Sequence, residues 1–365
     1  MPAEQGDDHC PKVTFPSIMA KRKNLFLPEP RWTAMRLFRD GLLLAVLAAL
    51  CAAAWLAYFA YKPIDVPANA RTFNVDHGRS LRGVSEQFAR AGLISDHWSF
   101  LVYARLMGAA GEIKAGIYEV GERIAPHQLL EKIVRGEFAQ AELRFIEGWT
   151  FAQLRGAMDA HPGLKHDSTP LSNAQIMERL GIENKKSPEG LFFPDTYYFA
   201  VASSDLALLK QAYLKMQTKL QALWEKHAQD LPLNNAYEAL ILASIVEKET
   251  GRHDERGLVA AVFVNRLKRG MRLQTDPTVI YGLGPAFDGN LRRRDLRTDN
   301  SYNTYTRFGL PPTPIAMPGE ASIRASLNPA QSPALYFVGR GDGSHQFSSN
   351  LVEHNRAVNK FQLHR

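Results

Sequence analysis

Residues 241–250 read ILASIVEKET. Leu242, Ile245 and Val246 fall at i, i+3 and i+4, the spacing of one buried stripe on an α-helix. The next place on that stripe, i+7, holds Glu249. A carboxylate on the apolar side of a helix costs free energy unless it is paired, neutralised or put to use. Glu247 lies about 200° around the helix from Glu249, beside Leu240, Ala243 and Ser244. Only one of the two therefore points into any one cleft, and the stripe selects Glu249. The plain alternative is an exposed Glu-Lys-Glu at a fraying helix end, capped by Gly251.

Both flanks of this helix carry site-like segments. Residues 257–269 (GLVAAVFVNRLKR) predict a second helix with Val259, Val262 and Phe263 inward and Gly270 at its end. Residues 271–282 (MRLQTDPTVIYG) gather Gln274, Thr275, Asp276 and Thr278 around Pro277. Residues 301–319 (SYNTYTRFGLPPTPIAMPG) combine Tyr302, Asn303 and Tyr305 with four prolines, a composition that holds polar groups still. An ordered loop without function is the alternative for each. Two such loops behind a misplaced glutamate favour a site. Upstream, residues 187–199 (SPEGLFFPDTYYF) form an aromatic loop pinned by Pro188, Gly190 and Pro194. Packing is the common use of such aromatics. Sugar rings also stack on them, which makes Phe192, Phe193, Tyr197 and Tyr198 candidates for a saccharide groove. A long helix starting at Ser204-Asp205 puts Leu208, Leu209, Ala212, Met216 and Leu220 in the core. Further back, Glu142–Ile146 predicts a strand and Thr150 caps a helix, after which a loop begins at Asp159.

Residues 71–140 predict strand, two helices, strand and helix: 72–75, helices around Leu81–Phe88 and behind a Ser95 cap, 115–120, and a helix stopping at Gly136. On this reading alone they are a small α+β module or a plain spacer. Residues 41–61 (GLLLAVLAALCAAAWLAYFAY) are uncharged and long enough to span a bilayer, with Trp55, Tyr58, Phe59 and Tyr61 as an interfacial belt. A cleaved signal peptide, or a lipoprotein cysteine at Cys51, is the alternative. Lys21, Arg22, Lys23, Arg31, Arg36 and Arg39 before the span outnumber Lys62, Arg71 and Arg79 after it. That bias puts residues 1–40 in the cytoplasm as a tail, and everything after a 62–70 linker outside the inner membrane.

The whole chain has 365 residues and a formal charge of +7, with bases dispersed and no aromatic-interleaved basic stripe, which argues against nucleic acid. Its two cysteines, Cys10 and Cys51, cannot staple the soluble part. Without HExxH or CxxC no metal or other cofactor is expected.

ASIVEKETG, RLQTDPTVIYG, SYNTYT-x-x-GLPP-x-PI, EGLFFPDTYYF and the C-terminal YFV-x-x-x-DG-x-H-x-F together resemble the endolytic murein transglycosylases of the MltG/YceG-like family. The resemblance runs from about Arg71 to the end, and the one-span topology matches too. It implies an α+β chain with one N-terminal transmembrane helix, a LysM-like subdomain at 71–140 and a lysozyme-like catalytic domain at 141–365. It also implies that the catalytic acid is the second glutamate of the EKE triplet, Glu249.

Ordinary glycosidases use two carboxyl groups. A lytic transglycosylase needs one. Neutral Glu249 would protonate the oxygen joining N-acetylmuramic acid to N-acetylglucosamine, with the substrate's acetamido group supporting the charge. The ionised Glu249 would then take the muramyl C6 hydroxyl proton as that oxygen closes a 1,6-anhydro ring. This requires burial to raise the Glu249 pKa. Gln274, Thr275, Asp276, Tyr302 and Asn303 are the expected sugar-binding residues. Expected partners are peptidoglycan strands, the inner membrane and the synthesis machinery that makes new strands. The competing readings are a hydrolytic muramidase using Asp276 or Asp195, and a glycan-binding scaffold without chemistry.

Overall fold

The structure is a computed structural model that describes residues 31–183, 185 and 187–363, with side chains from residue 35 onward. Residues 1–30 of the expected tail, with Cys10, lie outside the described residues. Contacts divide the chain after Tyr61. The first unit is helix α1, Arg31–Tyr61. It starts ten residues before Gly41 because RWTAMRLFRD contains neither Gly nor Pro to stop it. Residues Met35–Tyr61, 27 in all, are long and apolar enough to cross a membrane. Leu43, Leu44, Leu47, Leu50 and Trp55 stand exposed along the helix, as lipid-facing side chains would.

The second unit opens with a small mixed layer. Strand β1 (Ile64–Asp65) precedes β2 (Thr72–Val75), which leads into helices α2 (Leu81–Ala91) and α3 (His97–Leu106). Strands β3 (Gly116–Glu119) and β4 (Arg123–Ile124) return antiparallel to β2 and β1, and helix α4 (Pro126–Arg135) follows. Helices α2 and α3 pack against each other, and Phe73, Phe88, Phe100 and Tyr118 form the centre. Phe73 meets the Phe88 ring edge-on at 5.1 Å and stacks on Tyr118 at 5.6 Å. The second helix is capped by Asp96, which accepts the Ser99 N–H at 2.6 Å, and not by the expected Ser95. A carboxylate one residue nearer the first turn is the better acceptor for its N–H groups.

The remainder is helical with short strands. Strand β5 (Gln140–Arg144) precedes helix α5 (Phe151–Asp159), where the Thr150 hydroxyl accepts the Gln153 N–H and the Gln153 side chain returns to the Thr150 N–H. Strand β6 (Leu164–Lys165) and helix α6 (Asn173–Leu180) come next. This helix falls where the sequence predicts only loop. Its signal is a Ser172/Gln175 capping box with Ile176 and Leu180 four apart, both buried. Strand β7 (Thr196–Ala200) pairs antiparallel with β5, and β8 (Ser203–Ser204) pairs parallel with β6. Helices α7 (Asp205–Trp224), α8 (Ala236–Glu249), α9 (Arg256–Lys268), α10 (Asp276–Leu283), α11 (Arg293–Arg297) and α12 (Glu320–Leu327) follow. The chain closes with an antiparallel hairpin, β9 (Tyr336–Gly339) and β10 (His345–Ser348), and helix α13 (Leu351–Phe361).

Helix α8 is the axis of this part. It touches α7, α9, α10 and α12, and every residue from Ala239 to Val246 is buried. The single stripe expected from sequence is therefore one side of a helix enclosed all round: Leu240, Ala243 and Ser244 are as buried as Leu242, Ile245 and Val246. The aromatic loop is core as well. Phe192, Phe193 and Tyr197 are buried, and only Tyr198 stands exposed. Phe192 stacks on Phe151 at 5.2 Å, and the Tyr197 hydroxyl donates to the Phe193 carbonyl at 2.7 Å. Gly190 lets this loop approach the segment after Pro312. It holds φ +74°, and a Cβ there would lie 2.4 Å from the Pro314 side chain.

Candidate active site

Helix α8 ends at Glu249 because Thr250 turns extended, at φ −142° and ψ 131°. The glutamate projects into a cleft of about 570 Å³ lined also by Arg266, Gln274, Asp276, Tyr305, Tyr336 and His345. The cleft is bounded by α9, the start of α10, the β9–β10 hairpin and α13. Burial pushes the Glu249 carboxyl above its ordinary range. The hydrogen bond from Thr275 pulls it back, the Asp276 charge pushes it up again, and His345 and Arg266 pull it down. The net direction is toward the neutral acid.

Thr275 donates through Oγ1 to Glu249 Oε1. It is buried, and its place is fixed by a set of threonines. The Thr304 hydroxyl accepts the Thr275 N–H at 3.1 Å, and the Thr278 hydroxyl donates to the Thr275 carbonyl at 2.8 Å. Gln274 is held at φ +51°, a conformation costing a side-chain-bearing residue about 1–2 kcal/mol. Its amide N–H reaches the Thr304 carbonyl at 3.2 Å, and Arg266 Nη1 donates to its Oε1 at 3.3 Å. Strain of this kind persists where the surroundings over-determine a position. Tyr305 donates to Asp276 Oδ1 at 2.5 Å.

The two glutamates of the triplet differ in their partners. Glu247 lies 3.5 Å from Arg256, both side chains being 7% exposed, and accepts the Gly319 N–H at 3.0 Å. It is a buried structural ion pair. Glu249 has no salt bridge among the described residues and faces open space in the cleft. Partnership, more than the stripe, separates the framework carboxylate from the one free to give up a proton.

The family model for YceG-like proteins matches residues 73–360. The chain belongs to the YceG-like family. A Bacillus subtilis (strain 168) protein named endolytic murein transglycosylase is 31% identical over 313 residues, 79% of this chain and 84% of that protein. A Streptococcus pneumoniae protein of the same name is 28% identical over 344 residues, 82% of this chain, and the chain spans 61% of that longer relative. A crystal structure of a yceG-like protein from Listeria monocytogenes aligns with TM-score 0.50 at 30% identity, over 81% of this chain and 98% of that one. The mixed helix–strand fold is thus that of a YceG-like protein.

In this YceG-like chain the residues expected to bind sugar separate into groups. Gln274 and Asp276 line the Glu249 cleft, while Thr275 donates to the Glu249 carboxyl itself. Asn303 is fully buried. Its Nδ2 donates to the carbonyls of Asp295, Leu296 and Thr298, and its Oδ1 accepts the Tyr305 N–H at 2.9 Å. It holds the loop together and presents nothing to a ligand. Tyr302 lines a second, larger cavity of about 1120 Å³ with Phe151, Glu189, Lys248, Pro277 and Tyr281. Its hydroxyl lies 2.9 Å from Thr313 Oγ1. Asp195, the other carboxylate weighed for hydrolysis, is bonded to Lys215, which holds it below the usual carboxylate range. It lines neither cavity.

Sequence reasoning assigned no role to Arg266, His345 or Glu189. Arg266 is buried, donating to the carbonyls of Leu335 and Leu273 at 2.7 and 2.8 Å. His345 is the histidine of the DG-x-H-x-F motif. Glu189, of EGLFFPDTYYF, is buried in the larger cavity, where burial pushes its pKa to about 7. The Phe151 N–H and the Tyr281 hydroxyl donate to it at 2.9 and 3.1 Å.

Proposed function

We propose that this protein is a lytic transglycosylase. It cuts the β-1,4 bond between N-acetylmuramic acid and N-acetylglucosamine inside peptidoglycan strands and leaves a 1,6-anhydromuramyl end. Relatives named endolytic murein transglycosylase support the reaction class. The observation that carries the reading is the Glu249 carboxyl: favoured as the neutral acid by burial, with the Thr275 hydroxyl donating to it, on the wall of an open cleft. A neutral carboxyl there protonates the glycosidic oxygen. Once it ionises, Thr275 and Arg266 stabilise the carboxylate. The acetamido group of the substrate supports the positive charge at C1 until the C6 oxygen closes the ring.

In the same reading, residues 1–40 are a cytoplasmic tail, 41–61 the inner-membrane span and 62–70 a linker. Residues 71–140 are a LysM-like subdomain binding glycan, and 141–365 a lysozyme-like catalytic domain outside the membrane. An enzyme tethered this way meets newly made strands first, so contact with the synthesis machinery is part of the proposal. Crosslinking followed by identification of glycan synthases tests it.

Purified uncrosslinked glycan strands are the test substrate. Wild type should release anhydromuramyl products, Glu249→Gln none, and Glu247→Gln a large share, since an amide oxygen still accepts the Gly319 N–H. Equal release by the Glu249→Gln protein would overturn the assignment. A hydrolytic second reading is kept by Asp276, which lines the same cleft. It requires products heavier by one water with a reducing end, which mass spectrometry distinguishes. Strand binding with no cleavage by wild type would favour a scaffold.

A further inference from the structure

Glu255 stands at the start of helix α9, where a carboxylate usually accepts first-turn N–H groups, yet it makes no such cap. Both oxygens go instead to His345, 90 residues along the chain. One accepts the His345 backbone N–H at 3.0 Å, and the other lies 2.6 Å from the ring Nδ1. The two side chains are only 10% and 17% exposed. The Phe337 ring meets the imidazole edge-on at 5.4 Å. A carboxylate only accepts, so in the neutral tautomer the ring hydrogen sits on Nδ1 and the lone pair on Nε2. His345 lines the cleft that holds Glu249.

We propose that His345 is a second catalytic residue: the base that takes the proton from the muramyl C6 hydroxyl, with Glu255 as its positioning partner. The proposal rests on the transglycosylase reading and relieves Glu249 of its second duty. Glu249 gives its proton to the glycosidic oxygen, the bond from that oxygen to C1 breaks, and the acetamido oxygen bonds to C1 from the opposite face. The C6 oxygen then attacks C1, the acetamido–C1 bond breaks, and the C6 hydroxyl proton passes to Nε2. Transfer of that proton to the Glu249 carboxylate resets both groups, and no water is consumed. Departure and attack use the same face of the sugar, so acid and base must line one cleft, as these two do.

The other ionisable groups around the cleft are less suited to the task. Arg266 is bound to backbone carbonyls, and Tyr305 donates to Asp276. His354 of α13 lies flat on Tyr336 at 5.0 Å, and its buried Nδ1 has no hydrogen-bond partner among the described residues, so nothing sets its tautomer.

The test uses the full chain in nanodiscs with uncrosslinked strands, counting anhydro ends by mass spectrometry. His345→Ala should slow their formation by roughly 100-fold or more, the scale of a lost general base, and free imidazole should restore part of the rate. Glu255→Gln should lose activity to a similar extent without imidazole rescue, since its amide donates to Nδ1 and moves the ring hydrogen to Nε2. Should His345→Ala fail to fold, Glu255→Gln decides: native melting with a native rate overturns the proposal. A His345→Ala protein within about threefold of wild type, or one whose loss imidazole does not relieve, also overturns it. Wild type making only hydrolysed ends would instead sink the reaction assignment, and this proposal with it.

Discussion

At the scale of single residues, the site is governed by which carboxyl groups find a cation. Glu247 has Arg256, whereas among the described residues Glu189 and Glu249 have only uncharged donors in hydrogen-bonding reach. The pKa of Glu189 rises from 4.5 to about 7 on folding. The folded state therefore binds this proton more tightly than the unfolded chain, and its stabilising effect is complete at acid pH. It is lost as pH climbs from about 4.5 through 7, amounting to about 3 kcal/mol. Glu189→Gln should match wild type near pH 4 and exceed it by that order at pH 8 in denaturant unfolding. A second prediction concerns the activity profile. The Asp276 charge raises the Glu249 pKa and the Thr275 hydroxyl lowers it. Asp276→Asn should shift the alkaline limb of kcat to lower pH, and Thr275→Val should shift it to higher pH. Limbs moving together, or not at all, would show that Glu249 is not the titrating acid.

At the scale of elements, helix α8 carries Glu249 and the aromatic loop before β7 braces the segment that packs beside it. The Ser244 hydroxyl accepts the Ile315 N–H at 3.0 Å, fastening residues after Pro314 to the helix. Gly190 permits the same segment to lie against the loop. Gly190→Ala should cost about 1–2 kcal/mol for the left-handed backbone alone, and more for the overlap with Pro314, read as a lower melting temperature. A Gly190→Ala cost that shrinks in a Pro314→Gly background, where the Cβ at 2.4 Å is gone, would locate the clash. Much of this level was legible beforehand. Thr150 and Gln153 form a reciprocal cap, Gly92 and Gly136 end helices in the left-handed conformation, and residues 72–75 form a strand. Helix α6 was missed because its eight residues offer one apolar turn between polar runs, too short for periodicity to stand out.

At the scale of the molecule, the contacts separate residues up to Tyr61 from Lys62–Arg365. A protein lacking residues 1–61 should leave the membrane fraction and still cut purified strands. Activity lost along with the membrane association would tie catalysis to the anchor.

Sequence by itself determined the features that depend on neighbours a few residues away: the apolar span, the caps, the helix bearing Glu249 and the polar turn at 274–276. The family motifs were legible for the same reason, each being a short contiguous run. Only the tertiary structure decided which polar groups share a cleft. Glu249 meets Thr275 from 26 residues away, and Glu255 meets His345 from 90. Asn303 and Tyr302, adjacent in sequence, part company, one buried beneath its loop and the other in a different cavity. Periodicity along a helix records which face is apolar. It does not record what packs there, and the charge state of a carboxyl depends on that packing: a cation holds Glu247 in the framework, while burial favours the neutral carboxyl of Glu249.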